Sequence, residues 1–322
     1  MKKIAIFTSG GDSPGMNACI RAVVRTGIYH KCNVMGIMHG YEGMIDGEFI
    51  ELETKSVANI IQRGGTILKT ARSKRFMTQE GMKQAYDNLV KFGIEGVIAI
   101  GGNGTFTGAK EFNSMYKIPF IGIPGTIDND LAGTDYTIGF DSAINTVINA
   151  VDKIRDTAES HDRLFFVEVM GRDAGLIALK SGIGVGAESI LIPETKTDLN
   201  RLFERLERGR KSKSSKIIIV AEGDEEGGAF EIARKVKEKF TQYDTRVSIL
   251  GHMQRGGSPT CNDRVLASRL GFNAVEALLK GKNGAMVGVI NNEVVFTDFG
   301  KAIKHIDEID SEVIRMLEIL SL

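Results

Sequence analysis

Asp128 and Asp130 occupy alternate positions in the segment "PGTIDND". Alternate residues of an extended chain point to one side, so both carboxylates can serve a single centre. Beside phosphate groups, such a pair divides into a general base and a magnesium ligand. The simpler alternative is Asx-turn chemistry, which Asp and Asn favour in loops. Upstream, "IAIGGNGTFTGAK" (residues 98–110) carries an apolar run through a glycine-rich turn into a polar, helix-like stretch. Such a turn lets backbone N–H groups close on a phosphate at a helix N-terminus. Asn103 lies within it, where a phosphate-handling site often wants a carboxylate for its magnesium. "TSGGDSPGMN" (residues 8–17) has the same design. Taken singly, either turn reads as well as a tight strand–helix connection. The third group is basic: Arg163, Arg172, Arg246, His252 and Arg255. Each alone is an ordinary surface ion-pair partner. Together they make a cradle for a phosphorylated substrate, because Arg grips phosphate bidentately.

The elements that must position these residues are short β-branched runs alternating with helical patterns. The strand candidates are Lys3–Thr8, Val34–His39, Gly96–Ile100, Phe120–Pro124, Leu164–Met170, Ser189–Pro193, Lys216–Ala221 and Arg246–Leu250. Several are continuously apolar, as parallel strands covered on both faces are. In "DSAINTVINAVDKIRD" the positions Ile144, Val147, Ile148, Val151 and Ile154 keep helical spacing, with Asp141 as candidate N-cap. Leu199, Leu202, Phe203 and Leu206 repeat the pattern further on. "MIDGEFIEL" and "VGVINNEVVF" read as hairpins turning at Asp46-Gly47 and Asn291-Asn292. The class is α/β, doubly wound. In such sheets ligands bind beyond the carboxyl ends of the strands. There the chain places "TSGGDSPGMN", "GGNGT", "PGTIDND", "MGRDAG", "EGDEEGG" and "GHMQRGGSP". One loop of glycine and polar residues means little, but six at one sheet edge mark a site. No GxxxxGK[ST] occurs and "GGNGTFTG" lacks GxGxxG spacing, so neither a P-loop nor a dinucleotide fingerprint is present.

Composition narrows the classes of function. The 322 residues suggest two domains, with a boundary near residue 140 that composition does not mark. The chain is 42% hydrophobic and 25% charged, an ordinary globular balance. Lys plus Arg and Asp plus Glu number 41 each, so no overall field recruits nucleic acid or an anionic membrane. Cys19, Cys32 and Cys261 are widely spaced and suit buried thiols of a reducing compartment. The apolar run in "MKKIAIFTSGGD" is too short for a signal peptide. No stretch approaches the roughly 18 apolar residues of a membrane span. The expected location is the cytoplasm.

The segments "TSGGDSPGMNA", "QRGGT", "IPGTIDND", "TIGFDSA", "DKIRDTA", "MGRDAG", "VAEG" and "GHMQRGGSPT…DR" together resemble the bacterial 6-phosphofructokinases along nearly the whole chain. The resemblance implies two interleaved Rossmann-like domains and a homotetramer. Residues 1–139 plus 252–304 would bind ATP, and 140–251 plus 305–322 would bind fructose 6-phosphate. The implied reaction is phosphorylation of the sugar at its 1-hydroxyl with Mg2+. By resemblance Asp128 is the base with Thr126 beside it, and Arg172 stabilises charge on the transferred group. Gly11, Tyr41, Arg72, Ser73 and the loop Gly102, Asn103, Gly104, Thr105 resemble the ATP site, with Tyr41 at the adenine. Arg163, Arg246, His252 and Arg255 resemble the 6-phosphate cradle, the first and third coming partly from a neighbouring subunit. Thr126, Ile127, Met170, Gly171, Glu222, Met253 and Gln254 complete the implied substrate contacts. Asn103 and Asp130 fall at the metal positions.

The resemblance also implies an effector site for ADP and phosphoenolpyruvate between subunits. Its residues would be Arg21, Arg25, Lys55, Asn59, Arg155, Gly186, Glu188, Lys211 and Lys213. Arg21 and Arg25 share one helix face, which by itself reads as a solvated face. The family's basic loop usually resembles GKKH, whereas Ser212-Lys213-Ser214-Ser215 has lost a lysine and a histidine. Asn59 and Asn103 both stand where the family commonly has Asp. Two other readings compete. Pyrophosphate-dependent relatives usually carry Asp in place of Gly104 and Lys in place of Gly125, and both positions are Gly here. A non-catalytic ligand-binding subunit is suggested by Asn103 and Asn59, against the intact Asp128, Asp130 and Arg172.

Overall fold

Apolar residues alternate between the two faces of the central strands, and each face carries its own layer of helices. The structure is a computed structural model and describes residues 1–160, 163–195, 199–208, 216–303 and 311–320. The first part of the chain runs β1 (Lys3–Thr8), α1 (Met16–Tyr29), β2 (Asn33–Ile37), α2 (Gly40–Asp46), β3 (Phe49–Leu52), α3 (Gln79–Lys91) and β4 (Gly96–Gly101). It continues through α4 (Asn103–Met115), β5 (Phe120–Pro124), α5 (Phe140–Glu159), β6 (Arg163–Val169), α6 (Leu176–Gly184) and β7 (Ser189–Leu191). Then come α7 (Leu199–Arg208), β8 (Lys216–Ala221), α8 (Gly228–Lys239) and β9 (Asp244–Ile249). The chain closes with α9 (Cys261–Leu279), β10 (Ala285–Ile290), β11 (Glu293–Asp298), α10 (Phe299–Ala302) and α11 (Ser311–Leu320). Two compact units result: Met1–Ser142 with Arg255–Ile306, and Ala143–Gln254 with Asp307–Leu322. The first two crossings lie three residues beyond the expected 139 and 251.

The first unit is built on a seven-stranded sheet ordered β11-β10-β5-β4-β1-β2-β3. The five inner strands are parallel, and antiparallel β3 and β11 close the edges. Ile4 and Ile6 of β1 join Ile98, Ile100, Ile121 and Ile123 in a buried layer with α1 and α9. Ala5 and Phe7 face the other way, into a layer with α2, α3 and α4. Helices on both faces explain the continuously apolar strands. The second unit carries a parallel sheet ordered β7-β8-β6-β9, with Leu164, Phe166, Ile218 and Val220 packed beneath α7 and α8. The fold is α/β and doubly wound.

Three local expectations fail for identifiable reasons. Met44–Leu52 is not a hairpin. Tyr41, Met44 and Ile45 bury one side of a short helix that ends at Gly47, whose φ of 77° places it in the left-handed region. The strand that follows pairs with β2. Asp141 is not the N-cap of α5 but lies in its first turn. Asp263 of α9 takes that role, accepting from the N–H groups of Gly139 and Ser142 and from Ser142 Oγ at 2.8, 2.8 and 2.6 Å. Cys19 and Cys32 are buried, but Cys261, directly after the N-cap Thr260 of α9, is exposed. The Asn291-Asn292 hairpin does form: Ile290 pairs with Glu293, and both turn residues have positive φ.

Candidate active site

The strand order of the first unit reverses between β1 and β4, since β2 lies on one side of β1 and β4 on the other. A crevice forms at such a switch point beyond the carboxyl ends. The turn after β1 and the turn after β4 open there, with the Asp128 loop one strand further, after β5. Ser9 N–H donates to Ile100 O at 3.0 Å, and Gly125 N–H donates to Gly101 O at 2.9 Å, lacing the three strand ends together. Gly102 precedes α4 with no side-chain cap, which leaves first-turn N–H groups for an anion. A side chain at exposed Gly104 would enter open space, so the room a nucleotide phosphate needs is present.

Asp128 is 2% exposed at the base of this crevice. Its N–H donates to Thr126 Oγ1 at 3.2 Å, while Thr126 O accepts from Thr137 Oγ1 at 2.6 Å. Arg255 approaches the carboxylate to 4.0 Å and donates to Asp12 O at 3.2 Å. Its guanidinium lies so near Gly11 that a Cβ there would stand 2.5 Å from Nη1. Gly11, Asp128 and Arg255 therefore form one cluster, and Ile127 is buried beside them. Arg255 is itself only 9% exposed.

Asn129, between the two acids, has a φ of 54°. Its side chain accepts from Thr137 N–H at 2.7 Å and donates to Asp135 O at 3.1 Å. Sequence reading passed over Asn129 and Thr137, which hold the loop that carries both carboxylates. Asn103 Nδ2 donates to Asp130 Oδ2 at 2.7 Å, leaving Asn103 Oδ1 buried without a hydrogen-bond partner. Among the described residues, no three His, Cys, Asp or Glu side chains gather to hold a metal ion. One carboxylate and an orphaned amide oxygen still suit magnesium, which takes most of its oxygens from phosphates and water.

Tyr41, expected at the adenine, is largely buried. Its ring is stacked on Phe76 with centroids 3.8 Å apart and is only 5% exposed, and burial pushes its phenol pKa up. Its hydroxyl donates to Thr105 O at 2.6 Å, so it props the first turn of α4. Arg72 is exposed; Ser73 Oγ accepts from Phe76 N–H at 3.0 Å.

In the second unit, Arg163 of β6 and Arg246 of β9 share one acid. Asp244 accepts from Arg163 Nε at 2.8 Å and pairs with Arg246 Nη1 at 2.7 Å. The parallel register sets Arg163 opposite Asp244 and Phe165 opposite Arg246, which explains the grouping. Arg172 follows β6 with a left-handed φ of 54°, a strained setting for a branched-off side chain outside glycine. Glu222 holds that turn, accepting from Gly171 N–H at 3.3 Å and Arg172 N–H at 2.8 Å. Gln254 is fully buried and accepts from Met170 N–H at 3.2 Å. His252 and Met253 are exposed. Thus Glu222 and Gln254 act first as backbone clasps.

The residues expected at an effector site are divided. Arg21 and Arg25 stand on α1, Lys55 pairs with Glu53 at 2.8 Å, and Asn59 has a φ of 54°. In the second unit Arg155 donates to Val185 O at the end of α6, beside Gly186, and Glu188 is buried. Lys211 and Lys213 lie outside the described residues, as does the whole Ser212–Ser215 segment.

A phosphofructokinase family model matches residues 3–278. An ATP-dependent 6-phosphofructokinase of Cytophaga hutchinsonii is 56% identical over 322 residues, covering 100% of this chain and 98% of the relative. An ATP-dependent 6-phosphofructokinase 1 of Thermus thermophilus is 54% identical and covers 100% of both. Among solved structures, phosphofructokinase from Saccharomyces cerevisiae superposes with a TM-score of 0.90 at 37% identity. That match covers 100% of this chain and 47% of the yeast chain, so the present chain spans about half its length. A pyrophosphate-dependent phosphofructokinase from Marinobacter aquaeolei shares the fold, with a TM-score of 0.85 at 22% identity and coverage of 99% and 91%.

Proposed function

The chain belongs to the phosphofructokinase family, and we propose that Asp128 is the general base of its phosphoryl transfer. The reaction is that of the ATP-dependent relatives: fructose 6-phosphate gains the γ-phosphoryl group of ATP at its 1-hydroxyl. The hydroxyl oxygen bonds to phosphorus, its proton passes to Asp128, and the bond to ADP breaks. Positioning and charge stabilisation supply most of the catalysis in such transfers. Thr126 orients the Asp128 backbone. Arg255 keeps positive potential beside the carboxylate, 4.0 Å from it. Arg172 faces charge on the transferred group. The two glycine turns, with Gly11 and residues 102–105, bind the nucleotide phosphates, and Arg72 and Ser73 border them. Arg163, Arg246, His252 and Arg255 take the 6-phosphate, while Ile127, Met170, Gly171, Glu222, Met253 and Gln254 shape the sugar site. We assign ATP to the first unit and the sugar to the second. Asp130 and Asn103 would hold Mg2+, which when bound neutralises phosphate charge.

The observation that carries this reading is the cluster of Gly11, Asp128 and Arg255 at the switch point of the seven-stranded sheet. Donor choice rests on Gly104, which opens on space, and on Gly125, where a Cβ would lie 2.7 Å from Ile100. A lysine at Gly125 does not fit without displacing Ile100, and the pyrophosphate reading loses its support. No helix among the described residues is long and apolar enough to cross a membrane. We place the enzyme in the cytoplasm as a homotetramer, without nucleic-acid or membrane partners. ADP and phosphoenolpyruvate act weakly as effectors, because the 212–215 segment is poor in base and Asn59 replaces a carboxylate. Strong sigmoidal kinetics relieved by micromolar ADP would contradict that weakness. The main test is a coupled assay with ATP, magnesium and fructose 6-phosphate, repeated with pyrophosphate. Turnover with ATP alone is expected; turnover only with pyrophosphate, or none at all, overturns the reading.

A further inference from the structure

Asn103 and Asp130 come from different loops, one opening α4 and one following β5, yet their side chains meet at 2.7 Å. Asp130 Oδ2 accepts here, so the amide turns Nδ2 toward it. That choice forces Oδ1 away, where it is buried and unpartnered. A buried polar atom left without a partner is costly, so the pair is retained against a local penalty. We infer that Asn103 is a positioning residue: its amide does for Asp130 what a cation would otherwise have to do. It holds the carboxylate in one orientation before nucleotide or metal arrives. This deepens the proposed function and rests on it for its catalytic meaning.

The charge logic is specific to an amide at this position. A carboxylate at residue 103 would face Asp130 at hydrogen-bond distance, and two negative charges that close repel each other unless a cation lies between them. A merely packed side chain of the same shape would not make folding depend on a cation. The amide–carboxylate pair is also directional, so exchanging its members should preserve it. Those two properties separate positioning by charge from ordinary packing. Asn103 Oδ1 then remains as an acceptor for a donor arriving with the ligand, such as metal-bound water.

The test measures Tm of the full chain without substrate, in chelator and in millimolar magnesium. The wild type should melt at the same temperature in both. Asn103→Asp should melt roughly 3–8 °C lower in chelator, as expected for loss of one good interaction in a unit of this size, and recover in magnesium. The exchanged double variant, Asn103→Asp with Asp130→Asn, should melt near the wild type in chelator and ignore magnesium. An Asn103→Asp protein that melts with the wild type in chelator overturns the inference. So does an exchanged variant that stays as low as Asn103→Asp. If Asn103→Asp does not fold, the exchanged variant alone decides by the same criterion. No substrate enters these measurements, so failure of the kinase reading in the coupled assay leaves them untouched, and the reverse holds too.

Discussion

In the first unit Asp128 is 2% exposed, reached by Arg255 and braced through Thr126 and Thr137. In the second, Arg163 and Arg246 stand on β6 and on the edge strand β9, where Arg246 is half exposed, and both lean on Asp244. The group proposed to take the proton is held through buried hydrogen bonds of its loop. The groups proposed to capture the sugar phosphate stand on the edge strand β9 and its neighbour β6, paired with an acid that a phosphate can displace. Proton transfer demands sub-ångström placement, whereas phosphate capture demands charge and reach. The two demands call for different surroundings, and substitutions should therefore fail in different ways.

The largest effect is expected in the first unit. Asp128→Asn should lower kcat roughly 10²–10⁴-fold, the usual share of a positioned base, with both KM values little changed. An unchanged kcat would remove Asp128 from that role and erase the contrast between the units.

Next comes the brace that starts α5. Asp263→Ala leaves three donors around residues 139–142 without an acceptor. Leaving buried donors unpaired should cost about 3–5 kcal/mol and lower Tm by roughly 10 °C. Burial raises the Asp263 pKa above the ordinary 3.8, opposed by the hydrogen bonds from Ser142 and Gly139. The folded state therefore keeps that proton to higher pH than the unfolded chain. Stability drawn from Asp263 is full below about 4 and declines as pH rises through the raised value. Calorimetry across acid to neutral pH should show the wild type and Asp263→Ala drawing closer. A gap that widens with pH would contradict the direction of the shift.

Much of this contrast is legible in the amino-acid sequence. The apolar runs revealed parallel strands, and the loops at their carboxyl ends pointed to the switch point. Asp128 and Asp130 stand out as alternate residues, although the chain between them bends at Ile127 and Asp128 and turns left-handed at Asn129 instead of running extended. What stayed hidden were bonds between residues far apart in sequence. Asp263 reaches Ser142 across 121 positions, and Arg163 reaches Asp244 across 81. Periodicity carries no trace of such pairs. Asp244 did leave a signal, since it alternates with Arg246 on one strand. The helix Gly40–Asp46 was missed because its glycines and Asp46-Gly47 imitate a hairpin turn, while Tyr41, Met44 and Ile45 keep helical spacing. The stacking of Tyr41 on Phe76 leaves no trace in a motif either.

A smaller effect is expected in the second unit, confined to one substrate. Arg163→Ser and Arg246→Ser should each raise the KM for fructose 6-phosphate roughly 10–150-fold, from a lost charge-assisted contact of about 1.5–3 kcal/mol. The KM for ATP should stay nearly constant. Steady-state kinetics with each substrate varied in turn measures this split. Equal rises in both KM values would mean that the second unit does not specialise in the sugar phosphate.

The smallest effect sharpens the first unit's side of the comparison. Asn103→Asp exchanges an amide donor for a second carboxylate beside Asp130, 2.7 Å from it in the present structure. Magnesium is satisfied by one or two carboxylates together with phosphate oxygens and water, so the native pair supports activity with one carboxylate already occupied by an amide. A second negative charge should draw the ion more strongly. Changes around a metal's ligands typically alter affinity about 10–100-fold, and the lower end fits an ion held mainly by ATP. Asn103→Asp should therefore reach half-maximal rate at roughly tenfold less magnesium, at fixed ATP. The KM for fructose 6-phosphate should be unchanged, because neither Asn103 nor Asp130 is among the residues proposed to take the sugar. Superimposable magnesium titrations would show the amide to be neutral toward the ion. A wild type without turnover at any magnesium concentration would instead favour a ligand-binding subunit, and the buried base would then have no proton to take.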